Sequence, residues 1–511
     1  MISHPDQLPE RFNAAAFFVD ANISEGRGAR CAFRYRGASI SYAEVAAGVA
    51  RAAQGLLDHG LRAEDRVLLV LPDCPQFAYA FFGAIKAGIV PVPVHTMVGP
   101  EELRYYLEDS AARALMVHED FTDKLRDALP ARTIVASDSP ASPFSQLMAA
   151  ARPLAEPAPT HRDDMAFWLY TSGSTGRPKG AVHLQRDMVY AADLYAVPTQ
   201  QLTAADRIYS ASKMYFAYGL GNSLYCPFRV GACSILVPER PNPEICLRTI
   251  VEERPTHFFA VPTLYAAILN HCDAANHPGD TSSLRLAVSA GEALPAELYR
   301  RFRARFSAEL LDGIGSTEML HIFITNRVGD VRPGASGKPV DGYRARIVDE
   351  EDHDVQPGEI GNLWISGGSA AAFYWRKAEQ TRRTMRGEWM VTGDKYRQDA
   401  DGYYWYCGRS DDMLRAGAQW ISPVEVEGAL ITHPAVAECA VASATGSDGL
   451  SYPKAFVVLR NDILPSPALA DELKAAVRER LAHYKTPREI AFLAELPKTA
   501  TGKIQRFKLR S

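Results

Sequence analysis

The apolar residues of this chain fall into short blocks that alternate with alanine-rich stretches of helical spacing. Ser41-Tyr42-Ala43-Glu44 is a capping-box pattern, and it opens a helix predicted to run to about Asp58. Residues 66–71 read as a buried strand, 77–87 as a helix, 89–94 as an extended segment, and 114–117 and 133–136 as further short strands. Strands spaced by helices predict an α/β layered architecture. The Ser-, Pro- and Ala-rich stretch 137–160 is predicted to loop over the surface. Residues 165–169, 284–289 and 309–311 are strand-like, and 291–295 form a turn into a helix. From about 337 to 405 short β-type runs, 345–348 and 361–365, are separated by glycine, proline and acidic turns, which predicts a small β subdomain. Beyond 408–412 the pattern is mixed again. A helix is predicted from 423 to about 431, a strand at 455–459, and an amphipathic helix with Leu469, Leu473, Ala476, Val477 and Leu481 on one face. The expected fold is α/β: a large N-terminal domain, 1–410, of two α/β layered subdomains plus the β subdomain, and a small α+β C-terminal domain, 411–511.

At 511 residues the chain is too long for a single core. Its net charge of −4 argues against a general nucleic-acid binder. The N-terminus lacks a basic segment followed by an apolar one, and no apolar run is long enough to span a bilayer, so a cytoplasmic protein is expected. None of the eight cysteines forms C-x-x-C, so the sequence suggests reduced, mostly buried thiols rather than a zinc site or a disulfide framework.

Five segments carry candidate chemistry. Residues 170–180, Tyr-Thr-Ser-Gly-Ser-Thr-Gly-Arg-Pro-Lys-Gly, follow the strand at 165–169. Glycines let backbone N–H groups turn toward an anion, and hydroxyls and cations complete a phosphate cradle. The spacing is not that of a Walker A loop. Residues 313–318, Gly-Ile-Gly-Ser-Thr-Glu, set a hydroxyl beside a carboxylate, a pair suited to phosphate and hydrated magnesium. Asp394 ends an apolar run and is placed to hold ribose hydroxyls. Arg409, Asp411 and Asp412 bring a cation and two acids to the expected domain junction, and Lys503 sits on a glycine turn in the tail. Each alone also fits a helix cap, a hairpin turn, a surface ion cluster or a solvated end.

Together and in this order they resemble the ANL adenylate-forming superfamily of acyl-CoA synthetases, peptide-synthetase adenylation domains and beetle luciferases, from about residue 12 to the end. The resemblance implies ATP, Mg2+ and coenzyme A as cofactors or co-substrates. It implies an ATP site of Thr171, Ser172, Gly173, Ser174, Thr175, Gly176, Lys179, Gly291, Glu292, Asp312, Gly313, Ile314, Thr317, Asp394, Arg409 and Lys503. Within it Thr317 lies on phosphate, Glu318 on the metal, Asp394 and Arg409 on ribose, and Lys503 is the lysine that promotes adenylation, so Lys503, Thr317 and Glu318 are the expected catalytic residues. Asp411 falls at the hinge about which a mobile C-terminal domain would swing. Residues 213–222 and 315–322 are most similar to the benzoate-CoA ligase branch, which implies an aromatic-acid pocket of Ala217, Tyr218, Gly315, His321 and Ile322. The chain departs from the family where Ala418 replaces the usual glycine after Gly417, in a loop resembling the pantetheine channel, and where Arg415 replaces a lysine. The implied activity is an AMP-forming aryl-CoA ligase acting on benzoate or a substituted benzoate. The alternatives are loading of an aryl acid onto a separate carrier protein, a luciferase-like oxidation and a non-catalytic nucleotide sensor. The expected partners are an aromatic acid and CoA, with no nucleic acid and no membrane; a homodimer and a lysine acyltransferase acting on Lys503 are further candidates.

Overall fold

The computed structural model describes residues 7–171, 177–275, 279–416, 419–445, 451–460, 463–498 and 504–509. Sequence signals and local structure agree where the signals are local. Ser41 Oγ accepts from Glu44 N at 3.2 Å and Ser41 N donates to Glu44 Oε2 at 2.7 Å, so the capping box forms and the helix Tyr42–Asp58 follows. Arg66–Val70, Ala114–His118 and Thr133–Ala136 are strands of a parallel four-stranded sheet. Val90–Pro93 completes it as an edge strand, the place where prolines without an N–H cost no ladder bond.

The segment 137–160 differs from expectation. It contains the helix Pro143–Ala150, begun by Ser142 Oγ accepting from Ser145 N at 3.3 Å and by proline at the first turn, with Phe144 fully buried. A local cap and one buried aromatic outweigh a composition typical of loops.

The largest sheet among the described residues has nine strands, and its parallel centre sets the geometry of the site. Glu309–Gly315, Leu286–Ala290, His257–Ala260, Arg207–Ser210, Cys233–Leu236 and Cys31–Tyr35 run parallel in that spatial order. Antiparallel Ile322–Thr325 and Lys338–Pro339 extend one side, and Ala38–Ser41 the other. Met165–Thr171, Lys179–Leu184 and Phe373–Tyr374 form a three-stranded antiparallel sheet. The expected β subdomain is a five-stranded antiparallel sheet of Arg344–Val348, Gly361–Ser366, Trp389–Gln398, Met385–Arg386 and Tyr404–Arg409.

One apolar core, with Phe18, Phe77, Phe81, Phe82, Phe167 and Tyr225, joins these layers. Residues from Leu414 onward gather a core of their own, with Val426, Leu430, Val441, Val457, Leu473 and Val477 packed around Val436–Thr445, Ser451–Leu459 and Glu489–Phe492. No helix of the described residues is long and apolar enough to cross a membrane.

Candidate active site

The carboxyl ends of adjacent parallel strands are where an open α/β sheet leaves a crevice. Here they deliver three of the sequence-marked segments. Leu286–Ala290 ends at Gly291 and Glu292, Glu309–Gly315 carries Asp312, Gly313 and Ile314 into Thr317 and Glu318, and Arg207–Ser210 leads to Ala217 and Tyr218. Glu292 Oε2 accepts from the N and Oγ1 of Thr263 at 3.2 and 3.1 Å, which ties that loop to the neighbouring strand end. Burial pushes the Asp312 carboxyl up, against opposing hydrogen bonds from Ser289 and the main chain of Gly313 and Leu294. Its carbonyl accepts from Asn326 N at 2.9 Å and from Thr325 Oγ1 at 3.1 Å.

A phenol and two cations from three other elements lie around Glu318. Tyr374 O–H donates to Glu318 Oε1 at 2.7 Å, and Lys179 Nζ lies 4.0 Å from the centre of the Tyr374 ring. Lys179 is held at the start of its strand by pairing with Thr171. Its ammonium is pulled down by burial, supported by Glu318 and opposed by Arg409, so all three sit within one electrostatic neighbourhood. Asp394 and Arg409 face each other across paired strands, with Arg409 Nη1 3.1 Å from Asp394 Oδ1 and 3.0 Å from Thr392 O. Arg409 Nε lies 3.9 Å from Asp411 Oδ1. The structure thus brings Lys179, Glu318, Asp394 and Arg409 together. No cluster of three or more metal-ligating side chains occurs among the described residues. Glu318 alone suits a cation such as Mg2+, which is held by one or two carboxylates plus substrate phosphates and water. Ser172, Gly173, Ser174, Thr175, Gly176, Gly417, Ala418 and Lys503 lie outside the described residues.

The main chain from Thr317 to Met319 is captured carbonyl by carbonyl. His183 Nε2 donates to Thr317 O at 2.8 Å, Ala371 N to Glu318 O at 2.7 Å, and Ser369 Oγ and His321 N to Met319 O at 2.7 and 2.8 Å. Sequence reasoning missed these partners. The His183–Asp187 pair is the most informative. Both side chains are fully buried, and His183 Nδ1 lies 3.0 Å from Asp187 Oδ2, which also accepts from Leu184 N at 3.0 Å. A carbonyl can only accept, so Nε2 must carry a proton. Burial raises the Asp187 carboxyl, opposed by its bonds to His183 and to the main chain of Leu184. No local signal marks His183, since its partner carbonyl is 134 residues away.

The five expected pocket residues also converge. His321 stands between Tyr195 and Tyr218, with ring centroids 5.0 and 5.7 Å away. Tyr218 O–H donates to Val288 O at 2.9 Å, which fixes its ring against the central sheet. Ala217 and Ile322 are buried, whereas Gly315 through Glu318 are partly open. Gly315 is expected to line the ring pocket. In the structure a Cβ there would also meet His321 O at 2.5 Å, so the bare backbone lets the turn fold back. Gly221 lies under the same ring, where a Cβ would meet His321 Cδ2 at 2.3 Å. Neither His321 ring nitrogen has a hydrogen-bond partner of normal geometry among the described residues. Burial pulls its imidazole from 6.5 down to about 3, with the Tyr218 main chain pulling weakly the other way.

An adenylate-forming arrangement of this kind agrees with comparisons to known proteins. The model of AMP-binding enzymes matches residues 20–375, and that of the AMP-binding enzyme C-terminal domain matches residues 425–503. The chain belongs to the AMP-binding enzyme family. Among its relatives within the family, a benzoate--CoA ligase of Thauera aromatica is 45% identical over 512 aligned positions, covering 99% of this chain and 97% of the relative. A 4-hydroxybenzoate--CoA/benzoate--CoA ligase of Rhodopseudomonas palustris is also 45% identical, covering 98% and 94%. A solved benzoate CoA ligase from Burkholderia xenovorans LB400 superposes with a TM-score of 0.91 at 45% identity, over 98% of this chain and 100% of that one. The anthranilate CoA ligase AuaEII, solved with anthranoyl-AMP, gives a TM-score of 0.93 at 42% identity, over 100% and 98%. These family members share the large N-terminal and small C-terminal architecture expected from the sequence.

Two outcomes test this geometry. In Asp187→Asn the atom that accepts from Leu184 N must be the amide oxygen, so His183 Nδ1 must donate and Nε2 turns a lone pair toward Thr317 O. The expected result is a loss of about 1–3 kcal/mol in denaturant unfolding, with faster amide exchange around Thr317. Unaltered exchange there would contradict the assigned bond. Second, a histidine depressed on folding favours the native state fully above its unfolded value and loses that stability as pH falls through the window between the two values. Stability should therefore fall from pH 6.5 toward 3 through His321, with His257, pulled down to about 4, contributing in the same sense. His321→Asn should make this acid limb shallower, and an unchanged slope would contradict the assignment.

Proposed function

We propose that the protein is an AMP-forming aryl-CoA ligase that activates benzoate or a close relative. The observation that carries this reading is a single turn, Thr317 to His321, with Glu318 among Lys179, Arg409 and Asp394 on one side and the His321 ring against Tyr218 on the other. An anionic nucleotide fits the first side and a flat ring the second. The matched relatives named as CoA ligases of aromatic acids support it over the full chain, and they do not favour the carrier-protein alternative.

In the first half-reaction the substrate carboxylate attacks the α-phosphorus of ATP and pyrophosphate leaves. In the second, the CoA sulfur attacks the acyl carbon and AMP leaves. Two anions must meet in line, so the enzyme's task is positioning and neutralising charge. In this reading the loop of Ser172, Gly173, Ser174, Thr175 and Gly176, with Thr171 and Lys179 at its ends, holds the leaving pyrophosphate. Gly291, Glu292, Asp312, Gly313 and Ile314 line the adenine side, and Thr317 contacts phosphate. Glu318 would hold Mg2+, whose positive charge would offset the negative charge of the phosphates. Asp394 and Arg409 hold ribose, and Lys503 supplies a cation during adenylation. Ala217, Tyr218, Gly315, His321 and Ile322 enclose the ring, and a neutral His321 adds no charge to that enclosure.

The division at 410 and 411 with Asp411 as hinge belongs to the same proposal. The separate apolar core beyond Leu414 supports it. Gly417 and Ala418 would then line the path of the pantetheine arm. A cytoplasmic setting suits the ATP and CoA this reading needs.

Product mass analysis with magnesium-ATP and a panel of benzoate, its hydroxy and amino forms, cinnamate and acetate tests the reading. It predicts an aryl-CoA and AMP, dependent on CoA. ADP as product, or acetyl-CoA in preference to every aryl-CoA, would contradict it. Lys503→Ala should reduce adenylate formation by at least a hundredfold while leaving thioester formation from supplied acyl-adenylate within about threefold. Equal loss of both steps would overturn the two-step role of the C-terminal domain.

A further inference from the structure

At the far side of the nine-stranded sheet, Cys31 Sγ and Cys233 Sγ lie 3.1 Å apart although 202 residues separate them. Three strands stand between this pair and Glu309–Gly315, and both cysteines open their strands, at the end opposite the carboxyl ends that carry the candidate active site. A β-bulge creates the pair. Along the hairpin Tyr35 pairs with Ala38, Arg34 with Ser39 and Phe33 with Ile40, but Cys31 rather than Ala32 pairs with Ser41. That slip of one residue moves Cys31 from the face of Phe33 to the face of Arg34 and Ser39. In the parallel pairing Phe33 opposes Ser234, which puts Cys233 on the Arg34 face as well. Without the bulge the two sulfurs would lie on opposite faces of the sheet.

The surroundings favour reactivity. Cys31 is only partly buried, whereas Cys233 is buried beneath it. The Cys233 thiol, the Ser39 hydroxyl, the Ile40 main chain and the Arg34 charge all stabilise a Cys31 thiolate, and they pull it from 9.0 down to about 6 against burial. Arg34 is held in place by Glu253, with Nε 2.9 Å from Oε2. The second thiol is pushed up, so it stays protonated beside the first.

We propose that Cys31 and Cys233 form a peroxide-sensitive dithiol site, with Cys31 as the attacking sulfur and Cys233 as the resolving one. The Cys31 thiolate attacks one oxygen of a hydroperoxide, the O–O bond breaks, and hydroxide or alkoxide leaves with Cys31 as a sulfenic acid. The Cys233 sulfur then attacks Cys31 Sγ. The S–S bond forms, the S–O bond breaks, and the oxygen departs as water with the Cys233 proton. Two thiols lose two electrons and the peroxide gains them. The disulfide ties the Cys31–Ser41 hairpin to the parallel sheet, and a dithiol reductant reverses it.

The full-length enzyme is treated with stoichiometric hydrogen peroxide, alkylated, digested without reductant and mapped by mass spectrometry. The expected result is a Cys31–Cys233 linked peptide that disappears on dithiothreitol treatment, with Cys74 and Cys246 unlinked. In Cys233→Ser, dimedone should label Cys31 at least tenfold more than Cys74, because the sulfenic acid has no resolving thiol. Both Cys31→Ser and Cys233→Ser should keep aryl-CoA synthesis within about twofold, so the ligase reading is tested separately. Equal dimedone labelling of Cys31 and Cys74, or Cys31 carried to sulfinic acid while Cys233 remains a free thiol, would overturn the proposal.

Discussion

The hydrogen bond from His183 Nε2 to the Thr317 carbonyl, at 2.8 Å, is the contact on which the geometry of the site depends. Thr317 opens a turn whose next two carbonyls are held by Ala371 and by Ser369 with His321. Leu320 lies within it at φ 65°, a left-handed conformation that a leucine adopts only when its surroundings impose it. Because the carbonyls are captured one after another, Glu318 and His321 cannot move independently. The nucleotide side and the ring side of the proposed site are thus two faces of one rigid element. Binding of one substrate then meets a surface already set for the other, which lowers the ordering cost of bringing two anions in line.

This rigidity is obtained at the expense of buried polar groups. His183 and Asp187 are paired 3.0 Å apart in a fully buried position, and His321 lies among tyrosines with neither ring nitrogen in a normal hydrogen bond among the described residues. Each would be replaced by an apolar group if stability alone were optimised. His183 reaches Thr317 from the three-stranded sheet and His321 follows the partly open stretch Gly315–Glu318, which ties the cost to the site rather than to the core as a whole.

What could be read from the sequence was what is encoded locally. The capping box at Ser41, the strands around 66–70 and 114–118, and the α/β class all follow from patterns within a few residues. Lys179, Glu318, Asp394 and Arg409 could be singled out because each sits in a compact polar segment at the end of an apolar run. Composition misled at 137–160, where a Ser142 cap and the burial of Phe144 make a helix from a loop-like stretch. The contacts that were not legible are long-range. His183 looks like an interior strand residue until the fold places Thr317 above it. Gly315 could be marked as a pocket residue, but not the His321 carbonyl that a Cβ there would meet at 2.5 Å. The Cys31–Cys233 pair depends on a one-residue bulge, which no spacing in the chain announces.

The claim that one preformed turn serves both substrates is tested most directly by a crystal structure with a non-hydrolysable benzoyl-adenylate analogue. The account predicts the ring between Ala217, Tyr218, Gly315 and His321, the phosphate at Thr317, and the His183 to Thr317 bond intact at the distance seen without ligand. A ring bound elsewhere, or a turn that breaks that bond to admit the ligand, would contradict it.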